Sequence, residues 1–263
     1  MFNVTLVQPN FQTGPKHLNS YYLPYTVGAL WAYLLQFRDV YENFTIDNWI
    51  FRREDFAEVI PKCKNSDIVF ISLYIWNKKY CIRLAEELKK AYPDITIIMG
   101  GPEVPHRDKE WLENNSFIDT VVIGEGELAL KEILTQYLYK IPLKKTYQFD
   151  RIKDLNLPSP YTKGLFDELL EEHPDIEWVP TLETDRGCPY SCTFCDWGSA
   201  TASKMYKLYN ERIRKDIEWM VNKKLPYIAL TSSNFGIFKD RDFEITEQIV
   251  KANKETGYPS GIS

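Results

Sequence analysis

At 263 residues, 44% of them hydrophobic, the chain holds enough apolar material for one large domain or two ordinary ones, which excludes a disordered polymer. A net charge of −5 and a pI near 5.4, with 32 lysines and arginines scattered along the sequence, exclude a nucleic-acid footprint. Five cysteines, an odd number with three crowded into one loop, exclude a secreted disulfide framework, and no apolar run reaches the roughly 18 residues of a membrane-spanning helix.

Met1 leads straight into Asn3-Val-Thr-Leu-Val-Gln8, without a basic region or a small-residue cleavage site ahead of it. No signal peptide is expected, and the expected location is the cytoplasm. Strand-like and helix-like runs then alternate. Strands are predicted over Val4 to Gln8, Phe44 to Asp47, Ile68 to Leu73, Thr96 to Gly100 and Thr120 to Ile123. Helices are predicted over Thr26 to Phe37, Arg53 to Lys62, Lys78 to Ala91 and Leu128 to Tyr137. This order implies a parallel sheet. Ile68 to Leu73 and Ile95 to Gly100 are nearly continuous apolar runs, as suits strands covered on both faces. The fold class expected for residues 1–142 is an open, doubly wound, Rossmann-like α/β domain.

Residues 143–177 are rich in proline, charge and aromatics and read as a linker. From 178 to 263 a second α/β series begins. It has a strand at Trp178 to Thr184, an amphipathic helix at Tyr209 to Lys223, a strand at Tyr227 to Thr231, a loop at Ser232 to Gly236 and a helix from Asp242 to Thr256. Tyr258 to Ser263 looks like the opening of a third strand. This reads as the N-terminal part of a βα barrel, begun and not completed within these residues.

In doubly wound sheets, ligands bind outside the carboxyl ends of the strands. Here those segments are Gln8 to Asn10, Ser72 to Asn77, Gly100 to His106 and Gly124 to Glu127. The glycine pairs let backbone amides approach a bulky or anionic ligand, although each pair alone also suits a tight βα turn. Both at one sheet edge favour a ligand.

Cys188, Cys192 and Cys195 have the spacing C-x3-C-x2-C. Three thiolates from one loop can hold three irons of a cubane iron–sulfur cluster and leave the fourth open to a small molecule. A structural zinc site normally wants four ligands in two pairs, and no second pair of Cys or His follows. Cys63 and Cys81 sit in segments that read as helical and are taken as packing residues.

The run Glu183-Thr-Asp-Arg-Gly-Cys-Pro-Tyr-Ser-Cys-Thr-Phe-Cys-Asp-Trp-Gly-Ser199, at the end of the first strand of a βα barrel, resembles the radical S-adenosylmethionine (radical SAM) superfamily. With Gly100-Gly-Pro-Glu103, Gly124-Glu-Gly-Glu127 and Asn234 to Arg241, the chain resembles the branch with an N-terminal cobalamin-binding domain. The resemblance implies a 4Fe-4S cluster on Cys188, Cys192 and Cys195, whose open iron chelates S-adenosylmethionine and whose electron cleaves it reductively. It implies SAM contacts from Phe194, Trp197, Ser233 and Asn234. Relatives often carry an acidic residue where Ser232 stands. It implies cobalamin contacts from Ser72, Gly100, Gly101, Gly124 and Glu125. With no Asp-x-His-x-x-Gly stretch around His17, His106 or His173, no lower axial histidine is expected.

The implied reaction is methyl transfer or rearrangement on a small-molecule substrate. An electron donor such as flavodoxin or ferredoxin is implied, and a further chain completing the barrel is a possible partner; neither nucleic acid nor membrane is. Two other readings stay open: a fragment that binds cluster or cobalamin without catalysing alone, and a cobalamin-independent radical SAM enzyme.

Overall fold

A computed structural model of the protein describes residues 1–14, 18–105, 109–190, 192–193 and 204–263. It divides into two compact units, Met1–Gln12 with Thr26–Arg151, and Thr13–Tyr25 with Ile152–Ser263. No helix among the described residues is long and apolar enough to cross a membrane.

The chain opens with β1 (Phe2–Asn10), β2 (Gln12–Thr13), β3 (Ser20–Tyr22), α1 (Tyr25–Leu34) and α2 (Arg38–Tyr41). There follow β4 (Phe44–Arg52), α3 (Phe56–Lys62), β5 (Ile68–Ser72), α4 (Lys78–Ala91), β6 (Thr96–Gly100), α5 (Lys109–Asn114), β7 (Thr120–Ile123), α6 (Glu127–Leu138) and β8 (Thr146–Gln148). In the first unit, six strands form one parallel sheet in the order β4-β1-β5-β6-β7-β8. All five residues of β5 are buried: the apolar run Ile68 to Ile71, as suits a strand covered on both faces, and Ser72 at its end. On α4, Cys81, Leu84, Ala85 and Leu88 recur at helical spacing and are fully buried in the core with Val7, Val69, Ile71 and Ile97. Cys63, at the C-cap of α3, joins the same core.

The expected end of β4 at Asp47 is a local irregularity in a longer strand. Val4 pairs with Ile46 and Thr5 with Asn48, so Asp47 is passed over and pairing resumes as far as Arg52.

The second series contains α7 (Asp167–Glu172), β9 (Glu177–Val179), β10 (Thr181–Leu182), β11 (Asp185–Arg186), β12 (Tyr206–Lys207), α8 (Asn210–Asn222), β13 (Tyr227–Leu230), α9 (Lys239–Thr256) and β14 (Gly261–Ile262). The single strand expected from Trp178 to Thr184 is divided at Pro180. Before it, β9 runs parallel to β3; after it, β10 runs parallel to β13, which in turn pairs with β14. Pro180 has no N–H for a ladder, yet its carbonyl accepts from Ala229 N at 2.9 Å, so the chain changes sheets there. Strands β10, β13 and β14 form a three-stranded parallel sheet. Helix α9 starts three residues earlier than the sequence suggests, because Asp242 Oδ2 accepts from Gly236 N (2.7 Å) and Phe238 N (3.2 Å) and organises the entry.

Candidate functional site

In the second unit, the carboxyl end of β10 leads through Glu183 and Thr184 into β11, which pairs antiparallel with β12. Leu208 N donates to Thr184 O at 3.0 Å, so the segment between β11 and β12, which carries the cysteines, is held at both its ends. Gly187 takes φ +100°, a left-handed conformation that favours glycine, and directs the chain into Cys188. Cys188 is half-buried, Cys192 is exposed, and neither is in a disulfide. Cys195, Phe194 and Trp197 lie outside the described residues, as do His17 and His106. His173 packs its ring edgewise against Trp178.

The loop after β13 meets the start of the cysteine segment. Ser233 Oγ donates to Gly187 O at 2.6 Å, and Asn234 Nδ2 donates to Cys188 Sγ at 3.2 Å. Ser232 Oγ donates to both oxygens of Asp185, at 2.9 and 2.8 Å. Asp185 is in turn paired with Arg241, whose Nη2 lies 3.0 Å from Asp185 Oδ2 and whose Nη1 donates to Thr184 O at 2.9 Å. Both side chains are buried, so the pair depends on complete hydrogen bonding, and Asp242 Oδ1 supplies the remaining acceptor for Arg241. Sequence reading placed Ser233 and Asn234 here but missed Asp185, Arg241 and Asp242. The signal was available in Asp185-Arg186 and Arg241-Asp242, adjacent opposite charges beside segments of mixed apolar pattern.

A second, half-buried polar group supports the same strand end. Glu183 accepts from Tyr25 OH at 2.8 Å and from Arg186 Nε at 2.8 Å. Burial pushes the Glu183 carboxyl up, but the guanidiniums of Arg186 and Arg212 outweigh it and leave it below its ordinary range. Burial holds the Tyr25 phenol well above its usual value, so it stays neutral and both donates and accepts. Tyr161, stacked on Tyr25 with centroids 5.8 Å apart, donates to Thr181 O and accepts from Thr181 N, which pins β10.

In the first unit, Ser72, Gly100, Gly101, Gly124 and Glu125 all fall at the carboxyl edge of the sheet. Ser72 and Gly100 are paired neighbours on β5 and β6, and Leu73 N donates to Gly100 O at 2.7 Å. The strand order reverses between β1 and β5, and there Asn77 Nδ2 donates to Pro9 O (3.2 Å) and Ser72 O (3.0 Å). Above this crevice stand exposed apolar side chains. Trp76 stacks on Tyr74 with centroids 4.5 Å apart and meets Phe11 edge-on at 6.0 Å, beside Ile75, which is 76% exposed.

The five edge residues differ in what they offer. The Ser72 hydroxyl is buried and has no hydrogen-bond partner, an arrangement that a ligand acceptor or donor would complete. Gly124, at φ +84°, faces open space, so a ligand can approach its backbone. Gly101, at φ +109°, is needed for packing, since a Cβ there would lie 2.5 Å from Leu73 O. Glu125 accepts from Arg151 Nε at 2.9 Å. Exposed aromatic side chains and an unsatisfied hydroxyl at the same sheet edge fit a large planar macrocycle with polar appendages. In the second unit, the free thiols of Cys188 and Cys192 and an amide donor on sulfur fit thiolate ligation of an iron–sulfur cluster.

Known proteins match both halves. Residues 35–134 match the B12 binding domain family. The chain is 31% identical to the cobalamin-dependent radical SAM methyltransferase TokK of Streptomyces tokunonensis, over 93% of this chain and 39% of that protein. It is 30% identical to 2-(S-pantetheinyl)-carbapenam-3-carboxylate methyltransferase of Streptantibioticus cattleyicolor, over 92% of this chain and 38% of that one. The chain therefore spans about two fifths of the length of these curated relatives. Two solved folds are similar: the cobalamin-dependent S-adenosylmethionine radical enzyme OxsB (TM-score 0.69, 19% identity, 95% of this chain and 37% of that one), and the radical S-adenosylmethionine methyltransferase TsrM from Kitasatospora setae with cobalamin and a [4Fe-4S] cluster bound (TM-score 0.65, 16% identity, 98% and 54%).

Proposed function

We propose that this chain, which belongs to the cobalamin-binding branch of the radical SAM superfamily, is the cofactor-holding part of a methyltransferase acting on a small organic molecule. Cys188, Cys192 and Cys195 are the cluster ligands in this reading. Ser72 and the Gly100 and Gly124 turns hold cobalamin, and the loop from Ser232 to Phe235, with Phe194 and Trp197, lines the SAM site. When bound, these groups supply one-electron and methyl-transfer chemistry. The chain's own work is to fix the thiolates, shield the macrocycle and orient both. An electron donor of the flavodoxin or ferredoxin type would deliver the electron.

The observation that carries this reading is the cysteine segment itself, held by β11 and β12 and hydrogen-bonded to the loop after β13. Anaerobic reconstitution with iron and sulfide tests it. The expected result is a cubane signal by electron paramagnetic resonance after reduction, retention of hydroxocobalamin through gel filtration, and formation of 5′-deoxyadenosine or S-adenosylhomocysteine from SAM. A Cys188→Ala/Cys192→Ala/Cys195→Ala variant that loads and reacts like wild type would overturn it. Cluster and cobalamin without product would assign catalysis to a chain longer than these residues.

A further inference from the structure

We infer that the Asn234 side-chain amide is a dedicated hydrogen-bond donor to the Cys188 sulfur and sets the reduction potential of the cluster, with Ser232, Asp185 and Arg241 as its positioning residues. The inference rests on the cluster-binding reading above and assigns Asn234 a role toward the metal centre, where sequence reading expected one toward SAM.

Asn234 Nδ2 lies 3.2 Å from Cys188 Sγ and 3.0 Å from Ser233 Oγ. An amide nitrogen has two hydrogens, so these contacts use both and leave only its oxygen for other partners. The donor is also held in place from behind. Asn234 N donates to Ser232 Oγ at 3.2 Å, and Ser232 Oγ donates to Asp185, whose charge is balanced by Arg241. Arg241 and Asp185 side chains are 6% and 0% exposed, so this end of the relay is buried in the unit and cannot swing with the loop. On the far side, Asp242 Oδ2 takes the Gly236 and Phe238 amides, which fixes the exit of the loop. A flexible surface loop would lose much of a hydrogen bond's worth to ordering; this one is tied at both ends by hydrogen bonds within the chain.

A hydrogen bond to a ligating thiolate withdraws electron density from sulfur. It favours the reduced cluster, which carries one more negative charge, and so raises the potential. The amide is uncharged, so its effect is retained across the pH range in which the protein is folded.

The test is a potentiometric titration of anaerobically reconstituted protein, followed by electron paramagnetic resonance, on wild type, Asn234→Ala, Asn234→Asp and Ser232→Ala. At a fixed poise, Asn234→Ala is expected to show about a tenfold lower ratio of reduced to oxidised cluster, equivalent to about 59 mV for one electron. Asn234→Asp keeps the size, removes the donor and adds a like charge, so its potential falls further. Ser232→Ala shifts it the same way by less. Equal potentials in wild type and both Asn234 variants at matched iron content would overturn the inference, as would loss of the cluster from both variants while wild type retains it, which marks a purely structural residue. Absence of a cubane from wild type would instead overturn the cluster-binding reading on which the inference rests.

Discussion

Tyr25 and Arg212, 187 residues apart in sequence, meet where Arg212 Nη2 donates to the Tyr25 hydroxyl at 2.8 Å. The same hydroxyl donates to Glu183, so one neutral phenol bridges a cation and an anion, both half-buried, at the foot of the cysteine segment. Tyr25→Phe keeps the ring and removes both contacts. Hydrogen bonds to charged groups contribute roughly 1.5–3 kcal/mol each, and the groups left behind have little water to turn to. A loss of about 2–3 kcal/mol is expected, visible as a lower urea midpoint at unchanged slope. An unchanged midpoint would show that Arg186 and Asp216 satisfy the two charges without the phenol.

Asp216 sits one helical turn from Arg212 on α8, with Oδ2 3.5 Å from Arg212 Nε, and its side chain is 2% exposed. Burial is the larger influence and pushes its carboxyl up to about 6, with Arg212 pulling the other way. As pH rises past 3.8, the ordinary value, the unfolded chain gives up this proton while the folded chain keeps it to about 6. The stabilisation from this group is therefore complete below about 3.8 and is lost as pH rises through about 6, roughly 3 kcal/mol in all. Asp216→Asn removes the titration. Urea midpoints of wild type and variant, compared between pH 4.5 and 7, are expected to show wild type losing ground to the variant as pH increases. A constant difference across that window would mean that Arg212 holds the carboxylate ionised throughout.

Hydrophobic period and strand-end glycines made the doubly wound unit legible, because a strand covered on both faces, such as Ile68 to Ile71, reads as a continuous apolar run. The cysteine spacing was legible for a similar reason: it is local. The supports of the site were not. Tyr25 reaches Glu183 across 158 residues, and Asp185 reaches Arg241 across 56, distances over which no pattern in the chain advertises a partner. Arg212 and Asp216 did leave a trace, since they flank Ile213 and Ile217 on the buried stripe of α8, where charge must be paired. The change of sheet at Pro180 was hidden because the residues on either side read as one continuous strand.

The unpartnered hydroxyl of Ser72 separates ligand binding from folding. A buried hydroxyl without a hydrogen bond lowers stability, so Ser72→Ala is expected to leave the ligand-free protein as stable as wild type or slightly more so. If the hydroxyl completes its bonding with cobalamin, the same change weakens hydroxocobalamin binding by about tenfold, the worth of one hydrogen bond near 1.4 kcal/mol. Thermal melts without ligand and absorbance titrations with it report the two effects independently. Equal affinity in both proteins would remove Ser72 from the cobalamin site.

Gly101 and Gly124 both have positive φ at the same sheet edge, yet they are expected to respond differently to alanine. At Gly101, a Cβ would lie 2.5 Å from Leu73 O and 2.8 Å from Leu73 N, against backbone that is itself bonded to Gly100 O and cannot retreat. Gly101→Ala should cost more than about 2 kcal/mol and lower the melting temperature whether or not cobalamin is present. At Gly124, the space is empty, so alanine meets only the conformational penalty of φ +84°, about 1 kcal/mol, and its main effect should be on ligand retention. Melting temperatures of the two variants, each measured with and without hydroxocobalamin, decide between packing and ligand access at each position. A Gly101→Ala protein as stable as wild type would mean that the β6 turn can move away from Leu73, and a Gly124→Ala protein with unchanged cobalamin retention would place the ligand away from β7.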